Sequence, residues 1–122
     1  MGYLTSFIGE ITITPPIPFG KAKDSPFYPV NVDRDVMFNL NVQYRDTDEG
    51  TLTVRQAVAL VPIMEGPYKG YSIIEHVQEA IDAYPDHEFT GRLDCEGDDS
   101  GDVWRLEIHD RKAVKVEAPH GS

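Results

Sequence analysis

The stretch Val36-Met37-Phe38-Asn39-Leu40-Asn41-Val42-Gln43-Tyr44-Arg45, followed by Asp46-Thr47-Asp48-Glu49-Gly50 and residues 51–61, decides the fold class. Val36, Phe38, Leu40, Val42 and Tyr44 alternate with Met37, Asn39, Asn41, Gln43 and Arg45, the period of two that gives a strand one buried and one wet face. Residues 51–61 alternate again, with Leu52, Val54, Val58 and Leu60 on one side. The polar, glycine-terminated segment between the two runs is turn chemistry, so the pair predicts an antiparallel hairpin.

Working outward, residues 3–14 are rich in β-branched and aromatic side chains. Phe7, Ile11 and Ile13 fall on one side and Leu4 and Ile8 on the other, which reads as a strand with both faces partly covered. Pro15-Pro16 is expected to end it, because proline cannot donate to a ladder. Residues 17–31 carry Pro18, Gly20, Pro26 and Pro29 and read as a surface loop with room for a helical turn. C-terminal to the hairpin, Ser72-Ile73-Ile74-Glu75 matches a capping box. Ile74, Val77, Ile81 and Tyr84 then recur at helical spacing until Pro85. Phe89, Leu93 and Cys95, then Trp104, Leu106 and Ile108, then Val114 and Val116 mark three further strands.

The order strand, hairpin, helix and three-stranded meander predicts an α+β fold: a mainly antiparallel sheet of about six strands with one main helix packed on one face, anchored by Trp104 and Phe89. The 122 residues suit one hydrophobic core. They are read as a single domain over residues 1–117 with a flexible tail at 118–122. Eleven Lys and Arg against twenty-one Asp and Glu give a formal charge of −10. That balance repels phosphate backbones and anionic membranes at long range, arguing against direct nucleic-acid or membrane partners and favouring, if any, a protein with a basic surface. With one cysteine, Cys95, no basic leader and no run of eighteen apolar residues, the expected setting is the cytoplasm.

Chemistry has few places to reside. Residues 94–102 hold five carboxylates, Asp94, Glu96, Asp98, Asp99 and Asp102. Their glycines and the absence of a closing glutamate fail the EF-hand pattern. The plain reading is a solvated hairpin loop; the alternatives are a loop that contacts a protein and a divalent-cation site. Asp46, Asp48 and Glu49 converge with it only if both hairpin tips point the same way. His76, His87, His109, His120 and Cys95 fall at no zinc-ligand spacing, so no metal and no cofactor is assigned. Glu75 is read as a cap and His76 as a surface residue. Cys95, on the apolar side of its strand and flanked by Asp94 and Glu96, reads as a buried spectator. Nucleophile-elbow, phosphate-loop and dinucleotide motifs are absent, and no catalytic residue is assigned. Two surfaces remain as candidates for a partner: the polar strand face Asn39, Asn41, Gln43 and Arg45, and the aromatic side chains Phe19, Phe27 and Tyr28, which either meet a partner or fold back over one end of the sheet.

The opening Gly2-Tyr3-Leu4-Thr5-Ser6 with Gly9-Glu10-Ile11-Thr12-Ile13-Thr14-Pro15-Pro16, and the later Phe89-Thr90-Gly91-Arg92-Leu93-Asp94-Cys95-Glu96-Gly97 with Gly101-Asp102-Val103-Trp104-Arg105-Leu106-Glu107, resemble an uncharacterised family of small acidic proteins from actinobacteria and their phages. The resemblance implies no activity and no site residue. It implies a habitat in which small acidic proteins modulate or inhibit host proteins. The expectation is therefore a non-enzymatic protein-binding or regulatory domain using the 94–102 carboxylates, with a divalent-metal-dependent hydrolase built on the same carboxylates and a self-assembling structural subunit as the alternatives.

Overall fold

The strand alternation is realised in a computed structural model that describes residues 3–99 and 101–117. Its elements are β1 (Thr5–Pro18), α1 (Phe19–Ala22), β2 (Val36–Thr47), β3 (Gly50–Pro62), α2 (Ile73–Ala83), β4 (Glu88–Gly97), β5 (Val103–His109) and β6 (Lys112–Glu117). The six strands form one open sheet in the order β2-β3-β1-β4-β5-β6, and every neighbouring pair is antiparallel. The architecture is broadly α+β with little helix. The tail at 118–122, His120 included, lies outside the described residues.

β1 is the central strand, pairing β4 from Thr5↔Gly97 to Thr14↔Glu88 on one side and β3 on the other. Phe7, Ile11, Ile13 and Ile17 point into the core, where Phe38, Leu60, Leu93, Trp104 and Leu106 meet Ile73, Val77, Ala80 and Ile81 of α2. The expected anchors of the helix, Phe89 and Trp104, are both in this cluster. Trp104 also packs edge-on against Phe7 and lies beneath the Lys115 ammonium. The opposite face of β1 is open, contrary to the sequence reading: Ile8 is 69% exposed.

The diproline does not end β1. The β4 ladder stops at Thr14↔Glu88, and the β3 ladder is interrupted between Thr12 and Ile17 before resuming at Ile17↔Ala57. Both prolines lie in that interruption, where no ladder asks them for an N–H. The Thr14–Pro15 peptide is cis, and the Pro15 carbonyl accepts a hydrogen bond from His87 Nδ1 at 2.6 Å. Beyond α1 the chain folds back as one of the two expectations had it. Phe27 is buried against Phe38, and its carbonyl accepts the Phe38 N–H at 2.8 Å. Phe19 stays exposed, edge-on to Tyr28.

The start of α2 is correct in the sequence reading, but its cap is not. Ser72 occupies the N-cap position without a side-chain capping bond. The Asp35 carboxylate accepts the Ser72 N–H at 2.9 Å instead, while Asp35 itself donates its N–H to His76 Nδ1 at 3.0 Å. His76 is therefore a half-buried bracing residue rather than a surface one. Arg34 adds a two-pronged ion pair with Glu79 at 2.7 and 3.0 Å, which holds the Glu79 carboxyl below its ordinary range. At the other end Arg111 donates to the carbonyls of Ile81 (2.6 Å), Tyr84 (3.2 Å) and His87 (2.7 Å), placing a cation at the negative end of the helix. Gln78 reaches the sheet edge, donating to the Arg111 carbonyl and accepting the Ala113 N–H.

Two glycines let the β1 and β4 backbones approach closely. Gly9 faces Leu93 and Gly91 faces Ile11, with Glu10↔Arg92 between them. Their φ angles are 122° and 119°, a region that is essentially glycine's own. A Cβ on Gly9 would stand 2.6 Å from the Arg92 carbonyl oxygen, and one on Gly91 would stand 2.7 Å from that of Glu10. Both obstacles are backbone and cannot rotate away. Gly9→Ala and Gly91→Ala are each expected to cost about 2 kcal/mol or more, measured by urea unfolding, whereas Gly20→Ala, with nothing near its added methyl, should fall within about 0.5 kcal/mol of wild type.

Candidate functional site

The hairpin that decided the fold outruns its neighbours. β1 pairs with β3 only as far as Pro18↔Gln56, whereas β2 and β3 remain paired to Thr47↔Gly50. Beyond that limit the ribbon is a two-stranded arm in which residues 41–53 are all exposed. Register divides its side chains between two faces. Val42↔Arg55 and Tyr44↔Thr53 share one, and Asn41↔Gln56, Gln43↔Val54 and Arg45↔Leu52 share the other. Tyr44 is 72% and Leu52 54% exposed, large apolar groups held in water by backbone pairing rather than by a core.

Asn39, Asn41, Gln43 and Arg45, singled out in the sequence, are thus brought into one exposed row on the face away from α2, alongside Leu52 and Val54. Among the described residues none of the four makes a side-chain hydrogen bond or ion pair, so their donors and acceptors are available. Beside them β3 has no strand neighbour on the β1 side from Leu52 to Arg55. A groove of about 450 Å³ follows this edge, closed at its lower end by Pro18 and Phe19. Leu52 and Val54 were not identified as site residues from sequence, whereas Phe19 was named there among the aromatic candidates for a partner contact. The available signal was length: β2 and β3 run to 12 and 13 residues where β5 and β6 have 7 and 6.

The acidic hairpin is built differently. Asp98 Oδ2 accepts the Leu4 N–H at 2.9 Å, Asp102 accepts the Tyr3 hydroxyl, and the Asp99 N–H donates to the Tyr3 oxygen at 3.1 Å. Three residues of the loop therefore clasp the segment leading into β1. Asp94 pairs with Arg92 at 3.5 Å, and Glu96 is exposed on β4. Because β1 is antiparallel to both β3 and β4, the tip at 48–49 and the loop at 98–102 lie at opposite ends of the sheet. Asp46, Asp48 and Glu49 accordingly do not converge with it. Among the described residues no three His, Cys, Asp or Glu side chains stand together as metal ligands.

Residues 1–120 match the model of a family of unknown function, DUF6205. The chain belongs to that family. No curated protein and no solved structure matches it. The DUF6205 match carries no assigned activity, so the roles of these residues rest on their geometry. No helix among the described residues is long and apolar enough to cross a membrane.

Cys95 of this DUF6205 chain is 1% exposed, and burial foremost pushes its thiol up to about 12. A thiol is a poor nucleophile, so Cys95 is expected to resist a disulfide reagent at pH 8 in the native protein and to react fully in guanidinium. The hydrogen bond to Asp102 foremost raises the Tyr3 hydroxyl above its ordinary value of 10.0. A group raised by folding contributes stability below its unfolded value and loses it as pH rises through the folded one. The melting-temperature gap between wild type and Tyr3→Phe should therefore be steady below about pH 9 and shrink as the pH rises through the raised folded-state value.

Proposed function

We propose that this DUF6205 member is a non-enzymatic protein-binding domain, and that its contact surface is the outer face of the β2–β3 arm. The observation that carries the reading is the exposed row of Asn39, Asn41, Gln43 and Arg45 with unspent hydrogen-bonding groups beside Leu52 and Val54. Amides and a guanidinium supply directional contacts, and the two aliphatic side chains supply area to be dehydrated, the usual composition of a recognition patch. The pairing of the two strands holds the row in one geometry, so little ordering entropy opposes binding.

The net charge of −10 favours a partner with a basic surface, reached through long-range attraction. Of the five carboxylates at 94–102, Asp98 and Asp102 already hold the segment before β1 and Asp94 pairs with Arg92, which leaves Glu96 and Asp99 to add to that attraction without forming the main contact. The resemblance to small proteins of actinobacteria and their phages supports a finer reading, a modulator or inhibitor of a host protein.

The test is affinity capture of the tagged full chain from host lysate, with bound chains identified by mass spectrometry. A stoichiometric partner weakened by high salt and lost with Asn39→Ala/Gln43→Ala/Arg45→Ala, at an unchanged melting temperature, is the expected result. A partner retained by that variant but lost with Glu96→Gln/Asp99→Asn moves the contact to the acidic end and overturns the assignment to the arm.

A further inference from the structure

The outer edges of the sheet are met by other groups at single points. At the β6 edge, Gln78 occupies the Arg111 carbonyl and the Ala113 N–H. Near the start of β2, the Phe27 carbonyl occupies the Phe38 N–H. Along β3 from Leu52 to Arg55 the side toward β1 has no neighbouring strand, and the groove there continues the line that β1 occupies up to Pro18. Open edges are normally guarded by lysine, proline or a bulge. The sequence Gly50-Thr51-Leu52-Thr53-Val54 contains none of the first two, is uncharged, and is rich in β-forming side chains. Its ladder with β2 runs without a register shift.

We infer that this edge pairs with itself: two copies of the chain join their arms edge to edge, as a two-fold symmetric antiparallel ribbon over residues 50–54. Charge selects a second copy as the occupant. The arm tip carries Asp46, Asp48 and Glu49, while the lower rim of the groove carries Arg55 and the α1 segment beside it Lys21 and Lys23. None of these six has an ion-pair partner among the described residues. In an antiparallel pairing the tip of one copy runs down toward Pro18 of the other, and the Pro18↔Gln56 pair stops it there. Gly50 of the second copy then faces Val54, Thr51 faces Thr53, and Leu52 faces its own counterpart, a register that keeps each pair on one face and sets Glu49 across from Arg55. Carboxylates at the tip arrive at the Lys21–Arg55 rim, and two-fold symmetry repeats the contact. A strand with a basic end would meet like charge at the same place. The contact is short, which makes the dimer weak and reversible, and it leaves the outer-face row accessible, so it stands independently of any foreign partner.

Sedimentation velocity of the purified chain at low salt, from about 10 µM to about 1 mM, is expected to show a mass rising from 13.7 kDa toward twice that value. Asp48→Lys/Glu49→Lys reverses the tip, and Lys21→Glu/Arg55→Glu reverses the rim. Each alone should weaken self-association roughly tenfold or more, and an equimolar mixture of the two should restore it, because both contacts are then complementary. Glu96→Lys/Asp99→Lys makes the same change in net charge as the tip variant at the far end of the sheet and should leave the dimer intact. A monomer at every concentration, a dimer that both reversals leave unchanged, or a mixture that stays monomeric overturns the inference.

Discussion

Everything in this fold depends on β1 serving two ladders that are out of step. It pairs with β4 over its first ten residues, Thr5 to Thr14, and with β3 only around Ile11–Thr12 and Ile17–Pro18. A central strand must satisfy donors and acceptors on both sides. This one does so by handing over from one partner to the other across the diproline. The offset leaves β3 without a neighbour at its upper end and separates the two hairpin tips to opposite ends. The arm, the groove beside it and the remoteness of the acidic loop are consequences of that one registration.

The second constraint is that α2 is short. Eleven residues are too few for a helix to be stable in water without outside support. Support comes from burial of Ile73, Val77, Ala80 and Ile81 and from distant groups at both ends, Asp35 before the first turn and Arg111 after the last. Gln78 turns the same helix into a cover for the β6 edge. Packing and protection of the start of the β6 edge are therefore performed by one element.

Much of this was legible in the sequence. Alternation located the β2–β3 hairpin, and the 3.6-residue period with Pro85 located α2, because both signals depend only on neighbours along the chain. The central place of β1 was not legible, since strand order depends on pairings between distant residues. The Ser72–Glu75 pattern suggested a local cap, yet Asp35 took the role from 37 residues away. Pro15-Pro16 suggested a stop, yet an interruption in the ladder made room for both. At the candidate site the row of Asn39, Asn41, Gln43 and Arg45 could be read from alternation alone. That Leu52 and Val54 share its face, and that β1 abandons β3 beside them, could not.

Arg111 gives the helix an unusual dependence on order of synthesis. Chains emerge from the ribosome N-terminus first, so residues 73–83 are made before the guanidinium that receives the Ile81 and Tyr84 carbonyls. The Asp110-Arg111 turn that delivers it has φ of 49° and 65°, the geometry that joins β5 to β6. Until that turn forms, the end of α2 lacks this cation and its Gln78 has no strand to cover. The helix and the last hairpin consequently mature together, once Arg111 has been made.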